Sequence, residues 1–370
     1  MSRHAPYTTL RRYTAESTHH LGRINAALGR IRSAEIWPAS AEALRFAAQV
    51  GTVHHSTLIE GNRLGILEAQ RAARGELDRT TRAQIELITY VVALNLLDRR
   101  LDTEDLEFSE ELLKAVHCET TKGLGSEDSH FKPHHEGEWR DGEAGVRSAH
   151  RDARPHGDSA GRCASADARA HRLGREEARE PVEWPPPVIA GVLHFNIVEV
   201  HPFADGNGRT ARLLTTALLM RTGYAPRRLF NFDAHYGKDK DAYLAALRSV
   251  RRQSWNQEGW MRYFLNGLAS EYERVAGEVD RLSAIGRTAA GQTIQLTNGQ
   301  QRGLTDLKLR NLAEFNRRHY EQAAGVGRAA AMRDLNALAD AGVLDRIGDG
   351  PARRYRRPFR RLQPSERRTR

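Results

Sequence analysis

Apolar residues recur at spacings of three and four from about residue 12 to residue 118, and this spacing predicts a series of helices. The clearest stripe includes Ile85, Ile88 and Val92. Further helices are expected at about 112–117, 188–200, 208–222, 242–251 and 260–280. Proline is rare within these helical patterns before residue 118. The pattern is typical of a mainly α protein.

The last part of the chain, Leu304–Tyr355, has a pattern of its own. Helices are expected near 306–317, 320–324 and 329–341. A turn at 325–328 separates the second helix from the third, Gly342 ends the third, and a hairpin turns at 348–350. The order helix, helix, turn, helix, hairpin predicts a winged helix-turn-helix.

The stretch 144–180 differs from the rest of the chain. It contains nine alanines and eight arginines, and Val146 and Leu173 are its only large aliphatic residues. Such a segment does not supply an apolar face for a core. Two explanations are open: out-of-frame translation of a GC-rich gene, or a disordered insertion.

Charge is concentrated at one end of the chain. The 370 residues carry a formal net charge of +10, but residues 351–370 contain nine arginines and one acid, Glu366. The remainder therefore carries about +2, and charge suggests nucleic-acid binding only at the basic end. DNA binding through the 329–341 helix and packing against a partner are both open.

Composition excludes several classes of protein. No apolar run reaches the about 18 residues of a membrane span, and the first residues lack the apolar segment of a secretory signal. Two cysteines, Cys118 and Cys163, make no disulfide framework. We therefore expect a cytoplasmic protein and no membrane partner.

The candidate chemistry lies in segment 201–212, which reads HPFADGNGRTAR. The glycines on either side of Asn207 allow close approach of a ligand, and the helix that follows favours an anion at its start. Arg209 and Arg212 lie three residues apart, so both guanidinium groups can face a polyphosphate. Asp205 offers a hard oxygen ligand for Mg²⁺, and His201 titrates near neutral pH, as a general base must.

This segment resembles the signature of the Fic family, His-Pro-Phe-x-Asp/Glu-Gly-Asn-Gly/Lys-Arg-x-x-Arg, at every signature position. The resemblance extends upstream to Gly137–Arg140 and downstream to Tyr243 and Trp260–Leu265. It implies an all-helical core with a small β-hairpin flap. It also implies a reaction in which AMP passes from ATP to a Ser, Thr or Tyr hydroxyl of a target protein, with self-modification as a further outcome.

The same resemblance implies a role for each signature residue. His201 is the general base, Asp205 holds Mg²⁺, and Phe203 is a buried anchor for the loop. ATP is the co-substrate.

The phosphates of ATP are bound, by the same resemblance, at the start of the helix. Asn207 and the amides of Gly206 and Gly208 bind the α- and β-phosphates. Arg209 contacts the β-phosphate and Arg212 the γ-phosphate. The implied nucleotide-binding residues also include Thr210, Ala211 and Tyr243, the last facing the adenine.

A second motif, at residues 56–61, resembles the inhibitory pattern of the Fic family, Ser/Thr-x-x-x-Glu-Gly/Asn. Ser56 and Glu60 lie four residues apart on one face of a helix that Gly61 ends. The resemblance implies a salt bridge between Glu60 and Arg212. A carboxylate on that guanidinium competes with the γ-phosphate, so the chain carries its own inhibitor.

Together these features predict five regions. They are an N-terminal helical region at 1–109 with an inhibitory helix at about 50–61, a Fic core at 110–280, a linker at 281–302, a winged helix at 303–357 and a basic tail at 358–370. The predicted function is protein adenylyl transfer inhibited by Glu60. The alternatives are removal of AMP by the same site and a catalytically silent regulator that binds DNA or a partner. A homodimer is also left open.

Overall fold

The computed structural model of the chain describes residues 14–103, 106–126, 131–140, 184–252, 256–288, 292–350 and 353–357. Helices dominate, so the predicted mainly α class is confirmed. The flap expected after Arg140, the 144–180 stretch and the basic tail lie outside the described residues. Two compact units are present: Met1–Leu28 with Phe46–Glu273, and Gly29–Arg45 with Arg274–Arg370.

The first unit is helical throughout its described part. Its helices are α1 (Ala15–Ser33), α2 (Pro38–Ile59), α3 (Ile66–Ala73), α4 (Arg82–Asp102), α5 (Glu110–Thr121), α6 (Pro186–Val200), α7 (Asn207–Arg221), α8 (Asp233–Lys238), α9 (Lys240–Arg252) and α10 (Glu258–Ser283). Helices α1, α2 and α10 contribute residues to both units.

Local sequence explains where several of these helices begin. The Thr81 hydroxyl accepts a hydrogen bond from the Gln84 amide, and the Gln84 side chain accepts one from the Thr81 amide, which starts α4 with a capping box. Ser109 caps α5 through the amide of Leu112. Helix α6 begins at prolines, which lack the amide hydrogen that would otherwise be unpaired there.

The core of the first unit lies beneath the loop that joins α6 and α7. Helices α4, α5 and α6 pack against α7. Leu87, Val116 and Leu213 are buried in one apolar cluster with Phe203, which belongs to the loop itself. The loop is therefore attached to the most tightly packed part of the unit.

The second unit adds three helices and a small sheet. Its elements are α11 (Asn298–Leu309), β1 (Glu314–Asn316), α12 (Arg317–Ala324), α13 (Arg328–Asp340), β2 (Asp345–Ile347) and β3 (Arg354–Arg356). The antiparallel sheet has the order β1-β3-β2, with Tyr355 opposite both Phe315 and Arg346. The winged helix stays a prediction, although the elements follow the predicted order.

The first helix of this unit begins earlier than the sequence pattern predicted. The helix expected near 306–317 occupies Asn298–Leu309, because Thr297 and Gln300 form a capping box that starts it there. Asn311 then adopts a positive φ of 56°, which ends the helix, and residues 314–316 pair as β1. This short strand has too few residues to show an alternating pattern.

No helix among the described residues combines the length and apolar content that spanning a membrane requires.

Candidate active site

His201 lies directly after α6 in the left-handed region, with φ 53° and ψ 56°. Its Nδ1 is 3.3 Å from the carbonyl oxygen of Val198. A carbonyl only accepts, so Nδ1 carries the hydrogen and Nε2 keeps a lone pair. Burial lowers the pKa of His201 below its usual value, although the Val198 carbonyl opposes this effect. The side chain is therefore neutral near pH 7 and can accept a proton.

The loop after His201 is closed by its own signature residues. The Asn207 side chain accepts a hydrogen bond from the Phe203 amide at 2.9 Å and donates one to the Phe203 carbonyl at 2.8 Å. Both groups of this amide side chain are thus used within the loop, whereas the sequence predicted a phosphate contact. That contact stays a prediction.

Phe203 is fully buried, which confirms its predicted role as an anchor. Its ring stacks on His117, with centroids 3.7 Å apart and planes 5° apart, and on Trp139 at 5.0 Å. The loop is held from both sides by aromatic rings.

His117 also fixes the backbone of the loop, a role that sequence reasoning missed. Its Nδ1 accepts from the Gly137 amide at 3.0 Å. Its Nε2 therefore carries the hydrogen and donates to the Asp205 carbonyl oxygen at 2.9 Å. Burial lowers the pKa of His117 to about 4, which keeps the ring in this neutral form. The ring connects the motif loop to Gly137, the first residue of the upstream motif.

Helix α7 starts directly after the loop without a side-chain cap, and the amide of its N-cap residue, Gly206, donates to Oδ1 of Asp205 at 2.6 Å. Gly206 has φ 77°, and a Cβ there would lie 2.6 Å from the Thr121 methyl group, so glycine is required. The first amides of a helix have no partner within it and carry partial positive charge. A Cβ on Gly208 would lie 2.4 Å from Oε1 of Glu60, so the Glu60 carboxylate stands over this helix start.

Asp205 and Arg209 face one another beside the loop. Arg209 is 2% exposed, donates to the Thr120 carbonyl at 3.3 Å and lies 3.8 Å from Oδ1 of Asp205. The other carboxylate oxygen of Asp205 lies 3.2 Å from Nη2 of Arg82, a residue that was not predicted from any motif. Asp205 is 30% exposed and remains reachable from solvent.

Arg212 carries the most connected side chain of the site, and it is 1% exposed. Its Nη2 donates to Oε1 of Glu60 at 2.7 Å and to the Ser56 carbonyl at 2.9 Å. Its Nε donates to the Ser56 hydroxyl at 2.7 Å. The structure thus brings Ser56, Glu60 and Arg212 together, with the salt bridge that the resemblance implied.

Neighbouring charge, rather than burial, determines the protonation state of Glu60. Burial works to raise its pKa, but Arg212 and Arg209 outweigh that effect, so the pKa lies below its usual value. Gly61, with φ 99°, turns the chain away after α2. Asn62 then anchors it to α4 by donating to the Ala83 carbonyl at 2.8 Å. The carboxylate is therefore ionised and held near the site.

Two residues behind Arg212 were not predicted. Asp233 begins α8, and one of its carboxylate oxygens lies 3.9 Å from Nε of Arg212. That oxygen accepts a hydrogen bond from the Tyr90 hydroxyl at 3.1 Å. Both side chains are buried. Neither residue belongs to a sequence motif, so only the fold shows their connection with the site.

The remaining predicted residues are buried. Thr210 and Ala211 are completely covered, and the Thr210 amide already donates to the Gly206 carbonyl. Tyr243 is 3% exposed, and its hydroxyl is 2.9 Å from Nε2 of His194, so it packs in an aromatic cluster behind Arg212. The adenine contact of Tyr243 stays a prediction.

The oxygen donors of this site suit a metal ion that takes most of its ligands from a bound substrate and few from the protein. Within the described residues no group of three His, Cys, Asp or Glu side chains could hold a metal. Asp205 offers one partly exposed carboxylate beside the start of α7. Mg²⁺ is commonly held by one or two carboxylates, with substrate phosphates as further ligands, so Asp205 suits that ion.

Comparisons with known proteins agree with this geometry. Residues 107–219 match the profile of the Fic/DOC family. The chain is 49% identical over 49 residues to a protein named protein adenylyltransferase Fic from Nematostella vectensis, covering 13% of this chain and 12% of that protein. It is 56% identical over 41 residues to the protein of that name from Aedes aegypti, covering 11% and 8%. The matches thus span about a tenth of these curated relatives.

Solved structures share the fold over a longer span. A Fic family protein from Desulfovibrio desulfuricans has a TM-score of 0.61 and 20% identity, covering 97% of this chain and 100% of that one. Fic-1 from C. elegans, residues 134–508, has a TM-score of 0.56 and 21% identity, covering 71% and 72%. These likenesses show the fold.

Because Asn207 closes the loop on both sides of the Phe203 peptide, Asn207→Ala should leave a buried amide unpaired. We expect the free energy of unfolding to fall by about 1–3 kcal/mol, measured by urea denaturation. Thr222→Ala, which removes the bonds of one exposed hydroxyl to the Leu218 and Leu219 carbonyls, should change it by less than about 0.5 kcal/mol. Equal effects of the two substitutions would contradict this role of Asn207.

Proposed function

We propose that this chain, a Fic family protein through its domain at residues 107–219, is a protein adenylyltransferase. It transfers AMP from ATP to a Ser, Thr or Tyr hydroxyl of a target protein. The observation that carries the proposal is one loop that joins His201, which directly follows α6 and whose pKa is lowered by burial, to the start of α7, which no side chain caps. A base and an anion site at one place suit attack of a hydroxyl on a phosphate.

The reaction follows from this arrangement. Nε2 of His201 takes the proton of the target hydroxyl, and the oxygen forms a bond to the α-phosphorus of ATP. The bond from that phosphorus to the bridging β-phosphate oxygen breaks, and pyrophosphate leaves. The α7 amides and Arg209 stabilise the charge on the phosphates, so most of the catalysis is positioning and electrostatics.

Two further residues support the phosphates. Asp205 would hold Mg²⁺, which when bound neutralises part of the phosphate charge. Arg212 would bind the γ-phosphate, once its guanidinium is released from Glu60. ATP is therefore the co-substrate that this set of donors favours.

Glu60 inhibits the reaction by occupying both anion-binding features. Its carboxylate forms a 2.7 Å ion pair with Arg212 and stands over Gly208. A γ-phosphate and a carboxylate cannot occupy this place together, so ATP binds productively only when Glu60 moves away.

Glu60→Gly should raise transfer of label from α-labelled ATP to the protein by about tenfold to hundredfold. This range corresponds to the about 1.5–3 kcal/mol of a charge-assisted hydrogen bond. Glu60→Gln, which keeps the size and removes the charge, should give an intermediate rate. His201→Ala in the Glu60→Gly background should abolish labelling.

The same assay separates the alternatives. Loss of label from modified protein on addition of the wild type would favour removal of AMP by this site. No label in any folded variant, together with retention on DNA, would favour a silent regulator and contradict the proposal.

Transfer by His201 should depend on pH in a direction set by its burial. The base is active when neutral, and burial lowers its pKa below 6.5, so protonation inactivates it only at lower pH. We expect kcat/KM of the Glu60→Gly variant to fall with acid at a midpoint below pH 6.5. A midpoint at or above that value would contradict the assignment of His201 as the base.

For the second unit we propose a winged helix that binds duplex DNA. Supporting this, Arg318, Arg328 and Arg333 on α12 and α13 are exposed and have no ion-pair partner among the described residues. The hairpin arginines Arg346 and Arg353, in contrast, are paired with acids. Arginines whose charge is not already neutralised are suited to phosphate contacts.

Each of these three arginines should contribute to a salt-dependent affinity for a DNA duplex. Replacement of any one by Ser should reduce the slope of log K against log salt by about 0.9, measured by fluorescence anisotropy. Arg310→Ser, which removes an arginine already paired with Asp306, is the matched control. Absence of binding at low salt would leave packing against a partner as the function of this unit.

A further inference from the structure

The guanidinium of Arg212 faces two carboxylates that differ in accessibility. Glu60 contacts Nη2 at 2.7 Å, and its side chain is 35% exposed. Asp233 lies 3.9 Å from Nε, and its side chain is 2% exposed. The first carboxylate stands on the solvent side, where a nucleotide would enter, and the second lies within the core. Only Glu60 can leave without opening the core.

Asp233 is held from several directions. One of its oxygens accepts from the Tyr90 hydroxyl at 3.1 Å, and Tyr90 is fully buried on α4. The same oxygen lies 3.9 Å from Nε of Arg212. Burial raises the pKa of Asp233, and the charge of Arg212 opposes that rise. The carboxylate therefore has a fixed position and a cation beside it.

Departure of Glu60 would create an energetic problem for Arg212. The guanidinium is 1% exposed, and a buried charge that loses its partner is strongly destabilised. Asp233 reduces this destabilisation, because its carboxylate keeps one negative charge close to Nε of Arg212. The Ser56 hydroxyl and carbonyl continue to accept from Nε and Nη2.

The free donors of Arg212 then point away from Asp233. Nη1 is buried and has no hydrogen-bond partner among the described residues, and Nη2 loses Glu60 when the inhibitory carboxylate leaves. Nε stays on the side of Ser56 and Asp233. The guanidinium is thus held at Nε, and Nη1 and Nη2 remain able to donate to an anion.

We propose that Asp233, oriented by Tyr90, is a positioning residue that keeps Arg212 charge-compensated and aimed at the γ-phosphate when Glu60 is displaced. This inference rests on the proposed function, since it assumes that Arg212 receives the γ-phosphate of ATP. Asp233 touches neither the nucleotide nor the reacting atoms, and it acts through Arg212 alone.

The consequence is a selective effect on nucleotide affinity. ATP carries a γ-phosphate and ADP does not, so a misoriented Arg212 should weaken ATP binding and leave ADP binding unchanged. If Asp233 had only a structural role, its substitution would weaken the binding of ATP and of ADP to the same extent. The ratio of the two dissociation constants therefore separates positioning from folding.

The test uses the Glu60→Gly protein as the parent, with affinities for ATP and ADP measured by calorimetry in the presence of Mg²⁺. We expect Asp233→Asn to reduce the preference for ATP over ADP by about tenfold, the effect of losing one charge-assisted hydrogen bond between Arg212 and the γ-phosphate. Tyr90→Phe, which keeps the ring and removes the hydroxyl, should shift the ratio in the same direction by less.

Asp98→Asn is the matched control, because it removes an acid from an arginine pair of the same unit, Asp98 with Arg228 at 2.7 Å. This variant should keep the ratio of the parent. If Asp233→Asn does not fold, as judged by circular dichroism, Tyr90→Phe decides the question.

The outcomes distinguish the two proposals. An unchanged preference for ATP in the folded Asp233→Asn or Tyr90→Phe variant overturns the role of Asp233 and leaves the proposed function intact. A parent protein that binds no ATP overturns the proposed function, and the role of Asp233 with it.

Discussion

The compensation of one buried cation, the guanidinium of Arg212, is the constraint on which the site depends. Helix α7 carries this side chain into the core, where it is 1% exposed. A charge in such a place is tolerated only with hydrogen bonds and opposite charge around it. The end of α2, helix α4 and the start of α8 all supply groups for this purpose. The requirements of one residue therefore fix the arrangement of three other helical segments.

A different constraint applies to the loop before α7, which must keep one conformation in the absence of a ligand. Asn207 closes it on itself, and the aromatic stack with His117 joins it to α5. Gly206 supplies the only unusual backbone conformation at the start of the helix. Because these contacts lie within the protein, the start of α7 is held in place without a ligand, which is the preorganisation that the proposed phosphate binding would require.

Sequence alone predicted the local parts of this structure and missed those that depend on distant residues. Segment 201–212 is contiguous, and Glu60 lies within a motif of its own, so both could be selected from the sequence. His117 and Asp233 each act through contacts with residues far along the chain, and no sequence spacing predicts such contacts. The predicted start of α11 was wrong for a related reason, since apolar spacing indicates that a helix is present but does not locate its first residue.

The short connection after α2 has a consequence for how the site responds to concentration. Asn62 ties this connection to α4 through the Ala83 carbonyl, immediately after Glu60. The carboxylate is thus a tethered ligand, and its effective concentration at Arg212 is set by geometry, on the order of millimolar or higher. Dilution of the protein leaves that value unchanged. Under the function proposed above, the γ-phosphate would compete with this carboxylate through the abundance of ATP alone, so occupancy of Arg212 would report the level of ATP and not the level of the protein.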